Sequence, residues 1–529
     1  MTTPHTPRAR HTRRAFLGAA GGAAALTTLA AAGCSAGSTS GTPEPGTDAA
    51  GSPRRGGRLR ATFAGGGASE TLDPHRTNLF VEAARAKALF DKLADFGSDM
   101  SPQPRLAESW EPSTDATRWT VRLREAVFTD GTPLTAADVL HSYRRITDPE
   151  GAFRARASLE SIDLDASRAV DDRTVEFVLK HPYAEFPNAL AAFGAYIVKD
   201  GAEDFTEPVG TGPFRFVSFT PGSSMVAARH DAYWDGAPYL DEIEFLVANE
   251  ETARINALLG GQVEYAHELT PTTARTHEGG GQVTVVRLPR SAMQAFVMKT
   301  DRAPFDDPRV REAFFLIADR QQLVDSALAG AGEIGNDLFG KGYQYYADSI
   351  PQRTRDLDRA RALLREAGAE NLTVRLDTSE VAAGFVEAAT VFAEQAAEAG
   401  VTVEVVMGNK DTYWSDILDS GQLCCYRSGS MPIESHISQR LLTDSTTNAS
   451  KWQREDFDAL YEQAQATLDE AARTDLYARM QRTLHAEGGF LVWGFADWII
   501  ATANNVGGVD REAPANSLGW ARFDKVWLA

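Results

Sequence analysis

The stretch from Leu372 to Val406 constrains the fold more than any other. In LTVRL (372–376), Leu372, Val374 and Leu376 alternate with polar residues, the period-two pattern of a half-buried strand. Residues 382–399 then place Phe385, Ala389, Phe392 and Ala396 on one helical stripe, and VTVEVV (401–406) alternates again. A strand, a crossover helix and a second strand imply a parallel pair with a right-handed connection, and hence an α/β fold.

The rest of the chain fits that class. RWTVRLR, TVEFVL and EIEFLV alternate as strands, with Trp119, Val121 and Leu123, then Val175, Phe177 and Leu179, then Ile243, Phe245 and Val247 on the inner faces. Asp130-Gly131 predicts a turn, and Thr135 with Asp138 predicts a capping box for the helix that follows. Residues 304–328 read as one helix capped by Asp307, with Pro308 at its first position and Val310, Phe314 and Ile317 on its buried stripe. Further helices are expected over 358–368, closed by Gly368, and near 455–468 and 473–486.

The amino terminus is of another kind. Arg13 and Arg14 precede an uncharged, Ala/Gly-rich run of 19 residues, Ala15 to Gly33. It is long enough to span a membrane but too weakly apolar to hold there. A basic start and a mild apolar run describe an export signal, here of twin-arginine type. AAGC ends the run as a lipobox would, making Cys34 the lipidated first residue of the mature chain; the alternative is a plain secretory signal. Residues 34–56 contain no Val, Ile, Leu or aromatic side chain and read as a flexible tether. The expected location is the extracellular face of the cytoplasmic membrane.

The remaining body, about 470 residues, is too long for one core and calls for two lobes. Removing the four signal arginines takes the formal charge from −20 to −24, which argues against a nucleic-acid partner. After Cys34 only the adjacent Cys424 and Cys425 remain, read as two buried thiols in a strand rather than a strained ring. No HExxH, GxSxG or phosphate-loop motif occurs, and the ten histidines show no metal spacing. Gly210 and Gly212 in PVGTGPF read as a tight turn. No catalytic residue, metal ligand or cofactor is assigned.

Seven segments in order, across about 430 residues, resemble the solute-binding proteins of ABC importers, in the family 5 cluster that takes peptides, nickel complexes and some sugars. They are 56–74, with its Leu-Asp-Pro, 104–146, 208–216, 229–245, 304–324, 356–368 and 457–484. PRLAESWEPSTDATRWTVRLREAVFTDGTPLTAADVLHSYRRI (104–146) carries the resemblance most strongly. Trp110, Trp119, Tyr233 and Trp234 are expected in cores, and Asp319-Arg320 at a helix turn or ion pair.

The resemblance implies a two-lobed α/β fold of the periplasmic-binding-protein type (class II, peptide-binding cluster), with an extra subdomain inserted in lobe I. Crossovers near 295–300 and 494–498 would divide the chain into lobe I, 57–295 plus 498–529, and lobe II, 296–497, with the insertion at about 96–205. It further implies a monomer, anchored through Cys34, that captures a peptide or peptide-like solute by closing its lobes and delivers it to a membrane permease.

For the ligand, the resemblance places Arg427 where peptide-binding members carry an aspartate for the peptide's amine. A guanidinium holds a carboxylate or phosphate instead. Either the amine anchor has moved, to Glu434 for example, or the solute is a metal chelate, opine-like compound, oligosaccharide or other non-peptide. Gly66, Gly67 and Ser69, Asn336 and Asp337, Trp414, Ser428, Trp493 and Phe495 complete the candidate contacts. Trp493, Phe495 and Trp498 fit hinge packing as well as ligand stacking.

Overall fold

Two long antiparallel strands, Val283–Met298 and Phe490–Ala503, run through the middle of an 11-stranded mixed sheet. The computed structural model describes residues 51–529; the expected signal and Cys34 lie outside them. On one side of the pair stand Leu423–Gly429, Thr373–Thr378 and Thr402–Met407. On the other stand Tyr265–Ala266, Arg58–Phe63, Glu242–Val247, Ser224–Arg229 and Phe214–Thr220.

The pairing of the two long strands breaks between Leu288 and Ala292, and a second, smaller register shift follows between Gln294 and Ala295. Residues 283–288 face 503–498 in unbroken register, and the ladder resumes at Ala292 opposite Ala496. Pro289, which has no N–H to donate, lies in the interruption. Arg290 has left-handed backbone (φ 51°), and Ser291 Oγ donates to Leu288 O at 2.9 Å. The break therefore precedes the 295–300 stretch expected as a crossing, which is paired sheet as far as Val297.

The apolar cores divide at the same place. One core takes its buried residues from Ala292 to Ala496, with Phe296, Phe314, Phe392 and Trp493 among them. A second combines Leu59, Phe63, Phe214, Phe245 and Leu288 with Trp498, Trp520 and Val526. A third, between Leu93 and Ile197, covers a separate four-stranded sheet with Trp119, Tyr143 and Phe177 at its centre.

The local expectations hold where short-range chemistry decides them. Thr373–Thr378 and Thr402–Met407 pair in parallel around the helix Phe385–Glu398, whose Phe385, Ala389, Phe392 and Ala396 are buried. Thr135 and Asp138 form the capping box. Cys424 and Cys425 are buried free thiols in a strand. Gly210 and Gly212 press on the Leu89–Phe90 backbone, where a Cβ would come within 2.0 and 2.4 Å of main-chain atoms.

Two expectations change. Residues 304–328 form two helices, Pro308–Ile317 and Arg320–Ala327, because Ala318 leaves helical backbone and Asp319 caps the second helix by accepting from Gln322 N. Trp119 and Tyr233 are buried, but Trp110 and Trp234 are only partly so. Trp234 is held between the guanidinium groups of Arg105 and Arg124, 4.5 and 4.1 Å from its ring, and donates to Asp91 at 2.9 Å.

A buried polar knot stabilises the 292–496 core. Asp337, fully buried, accepts two hydrogen bonds of 2.7 Å from Arg320 and one of 2.8 Å from Arg353. Removing one member of such a cluster leaves the others charged and unpaired, typically at about 3–5 kcal/mol. Asp337→Ala is expected to destabilise this lobe by that amount in urea unfolding, and an unchanged midpoint would contradict the role.

Candidate functional site: the cleft between the lobes

The lobe I wall of the cleft is built at the carboxyl ends of parallel strands, where open α/β sheets place their ligands. Arg58–Phe63 pairs in parallel with Tyr265–Ala266, so the chain beyond Ala266 delivers His267 and Glu268 to that end. An aromatic cluster surrounds them. Phe63 stacks on His267 with ring centres 4.6 Å apart, Phe80 lies 4.4 Å from Trp498, and Trp520 lies 5.5 Å from Phe80 and 5.7 Å from His267. Trp498 Nε1 donates to His267 Nε2 at 3.1 Å, and burial drives the imidazole pKa well below its ordinary value, so it accepts as a neutral ring.

The lobe II wall is the strand Leu423–Gly429, antiparallel to 292–298, with Arg427 directly opposite Gln294. Directly opposed residues share a sheet face. The Arg427 guanidinium reaches across to lie 5.4 Å from the Trp498 ring. Among the described residues it has no hydrogen bond or ion pair. Gln294 is 3% exposed, and its Oε1 also has no partner.

The other expected contacts are scattered. Ser428 is buried on the opposite face of its strand, opposite Met293. Trp414 is 41% exposed and meets Phe385 and Tyr426 edge-on. Gly66, Gly67 and Ser69 form a short turn bound to lobe I. Gly66 N donates to Glu70, which is buried in an ion pair of 2.7 Å with Arg85.

Asn336 and Asp337, expected as contacts, are instead buried inside lobe II. Asp337 is spent on Arg320 and Arg353, and Asn336 Oδ1 accepts from Arg353 N at 2.7 Å. Trp493 and Phe495 are core residues, 1% and 2% exposed, because they lie on the lobe II side of the register break. They therefore follow the packing alternative.

Glu434 joins a second constellation, where the inserted subdomain meets lobe II. Ala184 N donates to Gln465 O at 2.6 Å across this contact. Glu185 accepts from the Tyr477 hydroxyl and, at 3.5 Å, from Asn188. Glu434 accepts from Tyr461 at 2.7 Å and from Ser435 at 3.0 Å, and also interacts with Tyr183 and Ser438. Tyr345 stacks on Tyr477, and Arg473 donates to the Tyr345 hydroxyl while its charge acts on Glu185. Burial, reinforced by the charge of Glu434, pushes the Glu185 carboxyl up to about 8. Burial raises Glu434 as well.

Phe80, Glu185, His267, Glu268, Gln294 and Trp520 were not among the expected site residues. Apart from the adjacent His267 and Glu268 they come from different segments, and none belongs to a motif. The available signal was the polar His267-Glu268 pair directly after Tyr265-Ala266.

Residues 101–451 match the family described as bacterial extracellular solute-binding proteins, family 5 middle. The glutathione-binding protein GsiB of Pectobacterium atrosepticum is 29% identical over 354 residues, covering 65% of this chain and 68% of that protein. Di/tripeptide-binding protein 2 of Pseudomonas aeruginosa is 27% identical over 511 residues, covering 86% and 93%. The ABC transporter substrate-binding protein CtaP of Listeria monocytogenes superposes with a TM-score of 0.79 at 22% identity, covering 90% of this chain and all of that one. With the family match spanning most of its length, the chain belongs to the family 5 bacterial extracellular solute-binding proteins.

Proposed function

We propose that this protein captures a peptide or peptide-like solute by closing its lobes, and presents it to the membrane permease of an ABC importer. The observation that carries this reading is the seam at which the two cores divide. Two strands cross between the lobes, and beside the crossing Arg427 of lobe II faces Trp498 without a hydrogen-bond or ion-pair partner among the described residues. The names of the glutathione- and di/tripeptide-binding relatives support a peptide-like cargo. A peptide supplies the carboxylate that a guanidinium binds best.

The hinge in this reading is Pro289–Ser291 with Asp497. Lobe I is 57–288 plus 498–529 and carries the subdomain of about 96–205; lobe II is 292–496. A solute touching both walls binds the closed form better and shifts the population toward it. No bond is made or broken. The protein works as a monomer, tethered by residues 34–56 to a lipid on Cys34.

Small-angle scattering is expected to show a smaller radius of gyration with glutathione, a dipeptide or the co-purified solute. Native mass spectrometry of the purified body identifies the last of these. An unchanged profile at saturating solute would overturn closure, and a bound non-peptide would overturn the cargo.

Closure also buries Glu185 against Glu434, so it takes up protons. Below the ordinary carboxylate range both states are protonated and the closed form keeps its full advantage. As pH rises toward about 8 that advantage is lost. Solute binding is expected to weaken by up to about tenfold per pH unit within this window for one proton taken up. In Glu185→Gln the slope flattens; calorimetry in buffers of different ionisation enthalpy measures the proton count, and an equal slope in wild type and variant refutes the linkage.

A further inference from the structure

Glu268 stands on lobe I and Arg427 on lobe II, and the same absence marks both. Among the described residues the Glu268 carboxylate accepts no hydrogen bond and forms no ion pair, although Arg254 is close by. The Arg254 guanidinium is committed elsewhere, donating to the carbonyls of Ala248, Asn249, His267 and Glu268 at 2.8–2.9 Å. Its charge therefore favours the Glu268 anion without sharing a proton with it.

Arg427 and Glu268 also sense each other without pairing. Burial lowers the Arg427 pKa, and the Glu268 charge offsets this. Burial raises the Glu268 pKa, offset by the charges of Arg254 and then Arg427. No contact within ion-pair distance closes the pair. Both groups are flanked by further unmet polar atoms and rings. Gln294 Oε1 is buried without a donor opposite Arg427, Trp498 lies under the guanidinium, and His267 beside Glu268 abuts Trp520, whose buried Nε1 has no acceptor.

We propose that Glu268 and Arg427 together form a receptor for a zwitterion, with the solute's free ammonium on Glu268 and Gln294 and its free carboxylate on Arg427. The proposal rests on the reading of the cleft as the capture site and narrows its cargo to solutes carrying both charges. Through Glu268 it also gives the amine an anchor on the lobe opposite Arg427, rather than at Glu434, which the tyrosines and the subdomain enclose. One charge on each lobe makes the solute a bridge: a molecule lacking either charge satisfies only one wall and closes the lobes poorly. A charge-assisted hydrogen bond in such a desolvated place is strong, and a buried charge left unmatched is costly.

The test uses full-length mature protein and calorimetric titration with four probes: glutathione, alanyl-alanine, N-acetyl-alanyl-alanine and alanyl-alanine amide. Wild type is expected to bind at least one of the first two, and to bind either blocked form at least about tenfold more weakly than alanyl-alanine. In Glu268→Gln the penalty for acetylation shrinks while that for amidation persists. In Arg427→Gln the pattern reverses, and Arg427→Lys recovers part of the amidation penalty. Circular dichroism melting confirms that each variant is folded. Blocked forms binding as tightly as alanyl-alanine, or unchanged penalties in the variants, overturn the zwitterion receptor while leaving peptide capture intact. A non-zwitterionic solute recovered by native mass spectrometry, with none of the four probes binding, overturns both the receptor and the peptide reading.

Discussion

The interruption between Leu288 and Ala292 is the constraint on which the rest of this structure depends. A ladder in perfect register from Val283 to Met298 would make the two halves one stiff sheet. Proline without a donor, a left-handed arginine and a serine bonded back to its own strand break that stiffness over three residues. Each side of the break then builds its own core, so Trp493 and Trp498, only five positions apart, belong to different lobes. What lies at the break is shared: Ser291 Oγ accepts from Ala515 N at 2.8 Å, and Arg427 reaches from one lobe to the Trp498 ring beside the other.

That arrangement explains why the cleft is polar where a single core would not be. A lobe interior pairs its buried charges directly, as Asp337 does with Arg320 and Arg353, and as Glu70 does with Arg85. At the cleft the same chemistry is left half complete. Arg427, Glu268 and Gln294 are drawn into partial or full burial without the partners that usually accompany it. Farther from the hinge the carboxyls of Glu185 and Glu434 lie among tyrosines, with Arg473 the charge that acts on Glu185, and burial raises the pKa of both.

The family and its fold were legible because they rest on patterns short enough to read along the chain. Alternation in RWTVRL, the stripe from Phe385 to Ala396 and the Thr135–Asp138 box depend on neighbours within a few residues. Arg427, singled out by its departure from the acid the resemblance leads one to expect, is placed by the structure 5.4 Å from the Trp498 ring. The remaining candidates divided according to burial. Asn336 and Asp337 carry the side chains of a binding loop but sit inside lobe II, and Trp493 and Phe495 lie in its core. Splitting 304–328 into two helices turned on Asp319, whose carboxylate caps a new helix instead of continuing the old one.

By itself, then, the amino-acid order determined the α/β class and membership in a solute-binding family, since each follows from local periodicity or an ordered run of motifs. Which charges oppose one another was decided only by the tertiary structure. Glu268 and Arg427 are 159 positions apart, and Glu185 and Glu434 are 249 apart. No local rule relates such residues. Their meeting depends on how two separately packed cores are hung from one pair of strands, and on the few donors and acceptors that this packing leaves unmatched.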